Sequence, residues 1–100
     1  MTELYKLQVG QLVRSIAGRD HGRYYLVYQI NGREVALVDG RKRLPESAKI
    51  KNPCHLQAVK LVSVEFQDKA AQKKLTPEDI RAQLSALLRM NPDEEAKTNV

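Results

Sequence analysis

The 100-residue sequence predicts one small, mainly β domain, a barrel of short strands carrying a C-terminal amphipathic α-helix. Three observations predict it. Short runs rich in β-branched and aromatic residues follow one another between residues 11 and 66, each closed by a Gly-, Asn- or Asp-containing break. The central pair of runs is apolar on both faces, so it needs a core on one side and a cover on the other. The one strongly signalled helix comes after all the strands.

The elements follow in order. Residues 1–9 are a lead-in. QLVRSI (11–16) is a short first strand, broken by AGRDHGR (17–23). YYLVYQI (24–30) is the second strand and EVALV (34–38) the third, with Asn31-Gly32 between them. Asn-Gly predicts a two-residue type I′ hairpin turn, which needs positive φ at both central positions. That turn sets Ile30 opposite Arg33, Tyr28 opposite Val35 and Leu26 opposite Leu37, with Val27 facing Ala36 and Tyr25 facing Val38. Asp39-Gly40 is a second turn signal. RKRLPESAKIKNPCHLQ (41–57) is a basic, irregular stretch with room for a short strand. AVKLVSVEF (58–66) alternates, then slips in phase, which predicts a bulge or bend.

QDKAAQKKL (67–75) is expected as a linker or a poor helix. TPEDIRAQLSALLRM (76–90) carries every start signal: Thr76 to cap, Pro77 at the first helical position, and Glu78 and Asp79 at the positive end of the dipole. Asp79 stands where the reciprocal partner of a capping box belongs. Ile80, Leu84, Leu87 and Leu88 form one apolar stripe, and Asn91-Pro92 stops the helix. The expected organisation is therefore a barrel over residues 1–66, a linker over 67–75, a helix over 76–91 and a flexible tail over 92–100.

The net charge is +5 and unevenly spread. Residues 1–75 hold 14 Lys and Arg against 7 Asp and Glu, whereas residues 76–100 hold 3 against 5. A basic body with an acidic end raises the expectation of a polyanionic partner. The single cysteine, Cys54, excludes an intrachain disulfide and fits a reducing compartment. No run approaches the ~20 apolar residues of a membrane span, and the N-terminus lacks the apolar stretch of a signal peptide. A cytoplasmic protein is expected.

Catalysis finds little support. Ser15, Ser47, Ser63 and Ser85 lack a nucleophile-elbow setting, and one Cys and two His are too few for an evident zinc site. No enzyme activity, metal or cofactor is expected. Cys54 reads as a small buried or half-buried residue. Gly18-Arg-Asp-His-Gly22 is neither a P-loop nor a dinucleotide fingerprint. Its glycines nonetheless admit backbone close to a phosphate, and Arg19 and Arg23 are able to fork onto one. An ordinary strand-connecting turn with exposed arginines fits equally well. A second cluster, Arg41, Lys42, Arg43, Lys49 and Lys51, is offset only by Glu46. It is either a solvated loop or a footprint on a phosphate backbone. Tyr24 and Tyr28 would add base stacking if they faced outward, although core packing is the commoner fate of such tyrosines.

The segment Gly10-Gln-Leu-Val-Arg-Ser-Ile-Ala-Gly18-Arg-Asp-His-Gly22-Arg-Tyr-Tyr-Leu-Val27 resembles a KOW motif, a strand, a glycine-closed loop and a second strand. Three further blocks in the same order, VDGRKR, KNPCHLQ and LTPEDIRAQL, extend the resemblance over roughly residues 6–90. Together they are similar to a group of small bacterial KOW-domain RNA-binding proteins, themselves similar to a KOW-bearing large-subunit ribosomal protein of archaea and eukaryotes. The resemblance implies an SH3-like barrel that binds RNA, with ribosomal RNA or the large ribosomal subunit as partner. It carries RNA contact onto Gly18, Arg19, Gly22, Arg23, Arg41, Lys42, Arg43, Lys49, Lys51 and His55. The sequence departs from the family pattern at Pro53-Cys54, where a lysine would precede the histidine. Alternatives of other classes are a protein adaptor that docks a partner on Ile80, Leu84, Leu87 and Leu88, and a transcription-elongation-associated factor. Asp20 and His21 have no assigned role.

Overall fold

The computed structural model describes residues 7–91 and contains five strands and two helices. The strands are β1 (Gln11–Ser15), β2 (Tyr24–Asn31), β3 (Glu34–Val38), β4 (Lys49–Lys51) and β5 (Leu56–Val62). They form one antiparallel sheet in the order β4-β3-β2-β1-β5. The helices are α1 (Val64–Ala71) and α2 (Pro77–Met90). The expected tail over residues 92–100 and most of the lead-in lie outside the described residues.

The sheet is open, with β4 and β5 as its edges. Yet these edges are consecutive in the chain, joined only through a 3₁₀ turn, Pro53–His55, and its flanks. Laid flat, four inter-strand spacings of about 4.8 Å would separate the edges by about 19 Å. A three-residue 3₁₀ turn advances only about 6 Å. The sheet must therefore curl. Lys51 on β4 accordingly donates from Nζ to the carbonyl of Ala17, just beyond β1, at 2.8 Å.

Curling gives the sheet two cores, as the doubly apolar hairpin predicts. Val13, Tyr25, Val27, Val35, Leu37 and Leu56 fill the concave side. Leu12, Leu26 and Val38 point the other way and meet Phe66 of α1 with Ile80 and Leu87 of α2. Leu84 and Leu88 pack against the same cluster. The stripe proposed as a partner's docking face is therefore occupied by the protein's own core. Tyr24 and Tyr28 also pack on this helix-covered side, so they are not a stacking platform.

The hairpin register differs from expectation. Asn31 pairs with Glu34, Ile30 with Val35 and Gln29 with Ala36, then a shift brings Val27 opposite Leu37 and Leu26 opposite Val38. The loop residues are thus Gly32 and Arg33, not Asn31 and Gly32. Gly32 has φ +61° and Arg33 is not in the positive-φ region, the pattern of a type II′ turn rather than I′. Packing selects this register. It gathers Val35 and Leu37 with Tyr25 and Val27 inside the curl, and sends Val38 with Leu26 to the helices.

The phase slip in the last strand is real: Gln11 pairs with Val62 but Val13 with Ala58, an irregularity between them. The strand then ends at Val62, four residues earlier than expected, and the expected linker begins as helix. Ser63 is the reason. Its Oγ accepts the Phe66 N–H at 3.0 Å, an N-cap that starts α1. Phe66 is then fully buried between sheet and α2, a burial that stabilises by roughly 2–3 kcal/mol. The α2 start is as expected: Thr76 Oγ1 accepts from Asp79 N at 3.1 Å, and Thr76 N donates to Asp79 Oδ2 at 3.2 Å. Lys69 of α1 reaches Asp79 at 2.9 Å and ties the helices together.

Candidate functional site

The loop AGRDHGR is closed by its backbone. Gly22 N donates to Ser15 O at 2.7 Å and Ser15 N to Arg23 O at 2.8 Å. His21 N donates to Gly18 O and Arg23 N to Asp20 O. The amides of His21, Gly22 and Arg23 are thus engaged inside the loop. Gly22, at φ +93°, meets no atom nearer than 4.0 Å where a Cβ would stand, so glycine is required there by backbone conformation and not by crowding. Gly18 also has a positive φ, +86°. Arg19, His21 and Arg23 project outward and are exposed.

Asp20 braces this loop from within. Its Oδ1 accepts from Ser15 Oγ at 2.8 Å and pairs with Lys51 Nζ at 3.0 Å, and its Oδ2 accepts from Tyr25 OH at 2.8 Å. Burial pushes the Asp20 carboxyl up, but the bonds from Ser15, Tyr25 and Lys51 outweigh it and hold the pKa at about 2. Burial, then the bond to Asp20, pushes the Tyr25 phenol up to about 12. Lys51 therefore belongs to the brace. Its side chain is 9% exposed and its ammonium is shared between Asp20 and Ala17 O, which corrects its assignment as a phosphate contact.

The second basic segment is folded by Asp39. One oxygen, Oδ1, accepts from Arg41 N at 2.8 Å and Arg43 N at 2.9 Å, and Asp39 N donates to Arg43 O at 2.9 Å. This turn lies against α2. A Cβ on Gly40 would stand 2.7–2.8 Å from Arg81 Cγ, Arg81 N and Pro77 O, so only glycine allows the approach. Arg81 Nη1 donates to Gly40 O at 2.6 Å across the contact.

The two segments enclose one cleft of about 370 Å³, lined by Arg19, Asp20, Arg23, Tyr25, Asp39, Lys42, Arg43 and Lys49. Five of the sequence-selected cations thus converge, two from the β1–β2 loop and three from the β3–β4 segment. Of the two carboxylates, Asp20 is balanced by Lys51 behind it, so the cleft keeps a large positive excess. Arg41 is exposed beside it but does not line it. His55 is exposed on the 3₁₀ turn, outside the cleft, with its carbonyl accepting from Ile16 N at 3.0 Å. Cys54 is exposed, contrary to expectation, because it sits on that same turn.

Sequence reasoning passed over Tyr25 and Asp39 as cleft residues and left Asp20 without a role. A signal was present for Asp20: a lone carboxylate among loop cations needs a partner, and Tyr25 stands first on the concave face after the loop. A second cleft of about 330 Å³, with Leu7, Ile30, Val35, Pro53 and Cys54 in its wall, is mostly apolar and offers Arg33 alone as a cation. A polyanion fits the first cleft and not the second.

Guanidinium groups fork onto phosphate oxygens with charge-assisted bonds, while lysines act as point charges. The cleft therefore suits a phosphate backbone. Among the described residues no group of three or more His, Cys, Asp or Glu is placed to hold a metal ion, and no helix is long and apolar enough to cross a membrane. Neither a family model nor a curated protein matches the chain.

Proposed function

We propose that this protein is a non-catalytic, cytoplasmic RNA-binding module that holds ribosomal RNA, or the ribosome, through the cleft of Arg19, Arg23, Lys42, Arg43 and Lys49. The observation that carries the reading is the convergence of five cations from two segments some twenty residues apart in sequence onto one cleft. Such a cleft binds backbone phosphates whatever the bases, so affinity is chiefly electrostatic. The curled five-stranded sheet with its covering helices is compatible with an SH3-like barrel of KOW type, and the resemblance of residues 9–27 to a KOW motif supports the same assignment. The adaptor alternative loses support, because Ile80, Leu84, Leu87 and Leu88 pack on the sheet.

Three measurements test the reading. Five phosphate contacts to a single strand give a log–log salt slope of about −3.5, so affinity falls about 100-fold between 50 and 200 mM salt. A flat salt dependence would falsify phosphate binding. The double variant Arg19→Glu/Arg23→Glu is expected to weaken binding of ribosomal RNA about 100-fold in a gel-shift series, with the melting temperature nearly unchanged, since both residues are exposed. Sedimentation of a lysate tests the partner: the protein is expected to travel with the large ribosomal subunit and to be released by high salt.

A further inference from the structure

The two carboxylates of the cleft differ in what they have left to offer. Asp20 is saturated: Ser15, Tyr25 and Lys51 occupy both of its oxygens. Asp39 is not. Its Oδ1 takes the amides of Arg41 and Arg43, and Oδ2 has no partner among the described residues. Asp39 makes no ion pair among those residues either, yet it lines the cleft with the five cations.

A negative charge at this point opposes phosphate binding. It favours a ligand only when that ligand brings a hydrogen-bond donor to it. Where the five cations engage backbone phosphates, as proposed above, sugars lie beside them. A nucleic-acid sugar offers one donor there, the 2′-hydroxyl, and DNA lacks it. The Asp39 side chain is also held in orientation, because two backbone amides fix its first oxygen and thereby aim the second.

We propose that Asp39 reads the sugar in this cleft, its Oδ2 accepting a hydrogen bond from a ribose 2′-hydroxyl, so that the site takes RNA in preference to DNA. The inference rests on the nucleic-acid reading of the cleft given above. It adds a discriminating residue and the atom through which it acts.

The test uses the intact protein and three labelled oligomers of about 12 nucleotides: oligouridylate, its 2′-deoxy counterpart and its 2′-O-methyl counterpart. These share bases and phosphates and differ at the 2′ position. A hydrogen bond to a charged acceptor sets the expected preference for the RNA oligomer over the deoxy oligomer at about 10-fold. The 2′-O-methyl oligomer, which cannot donate, binds no more tightly than the deoxy one. Asp39→Asn retains an oxygen for the Arg41 and Arg43 amides but replaces Oδ2 by a donor. It is expected to bring the RNA and 2′-O-methyl affinities within about 2-fold of each other, because its amide donates alike to a hydroxyl or an ether oxygen and no longer accepts from the hydroxyl. Equal, salt-sensitive binding of RNA and deoxy oligomers by the unaltered protein would overturn the role of Asp39 and leave the cleft's phosphate binding standing. Tight binding of the 2′-O-methyl oligomer, or an undiminished preference of Asp39→Asn for the RNA over the 2′-O-methyl oligomer, would overturn it too. Failure of every oligomer to bind would overturn both readings. The methylated oligomer decides the matter on the unaltered protein even if the variant does not fold.

Discussion

The two arms of the cleft are built on different supports. The β1–β2 arm is braced from inside, by a carboxylate that gathers a hydroxyl, a phenol and an ammonium beneath exposed arginines. The β3–β4 arm is folded by its own aspartate and then leaned against the first turn of α2, where the approach is so close that a side chain at Gly40 has no room. One arm depends on electrostatics in a sheltered place and the other on steric fit to a helix. Solution conditions and substitutions should therefore act on them separately.

The largest expected effect is on the helix-supported arm. Gly40→Ala forces a Cβ against two backbone atoms and a side chain at φ +82°, and about 4 kcal/mol of stability is expected to go, from overpacking and left-handed strain together. Gly32→Ala has a positive φ as well but nothing within 4 Å, and is expected to cost about 1 kcal/mol. Thermal or urea melts of the two variants separate crowding from conformation. Equal losses would mean that the α2 contact contributes nothing.

Next comes the inner brace. Asp20→Ala strands the Lys51 ammonium in a sheltered site, for an expected loss of about 3 kcal/mol, and adding Lys51→Met recovers much of it. A double variant as unstable as the single one would show that the pair is not the brace. The same network shapes stability against pH. Asp20 falls from an ordinary 3.8 to about 2 on folding, so its contribution is complete above about pH 4 and is lost as pH drops towards 2, about 2.5 kcal/mol in all. Tyr25 rises from 10 to about 12, so its contribution is complete below about pH 10 and is lost as pH climbs towards 12. Denaturation across pH should show a plateau falling at both ends, and Asp20→Asn should flatten the acid limb.

The smallest stability effect belongs to the cleft's rim. Lys49→Glu is expected to change stability by no more than about 0.5 kcal/mol while lowering RNA affinity about 10-fold. An unchanged affinity would remove Lys49 from the proposed contacts, and a large loss of stability would make it a brace like Lys51.

Much of this arrangement is legible in the sequence because it depends on local rules. Thr76, Pro77 and Asp79 announce α2 by capping chemistry alone, and the double apolar character of residues 24–38 by itself demands a core on each side. What is not legible depends on distant partners. Ser63 inside an alternating run reads as strand until Phe66 is seen to need burial under α2. Asn31-Gly32 reads as a type I′ turn until packing pulls the register one residue along. Lys51 and Lys49 are indistinguishable in sequence. They point into different surroundings because the curl brings Ala17 and Asp20 across to Lys51. The convergence of the two basic segments has the same origin, since no local rule says that residues 19–23 and 42–49 face each other.

An open sheet leaves an edge on which another chain's strand can template, and β4 is such an edge. It is only three residues long, Lys49-Ile50-Lys51, and the 3₁₀ turns on either side begin with Pro45 and Pro53. A short strand with the Lys49 ammonium at one end, set between turns that open on residues without an N–H, is a poor seed for edge-to-edge aggregation. Ile50 is 53% exposed and, by the alternation of a strand, faces away from the two lysines, so the edge also carries an apolar side chain. Lys49 is then both a cleft cation and a gatekeeper of solubility. Neutralising it to silence binding would also uncover a sticky edge, and reversing its charge is the cleaner way to separate the two roles.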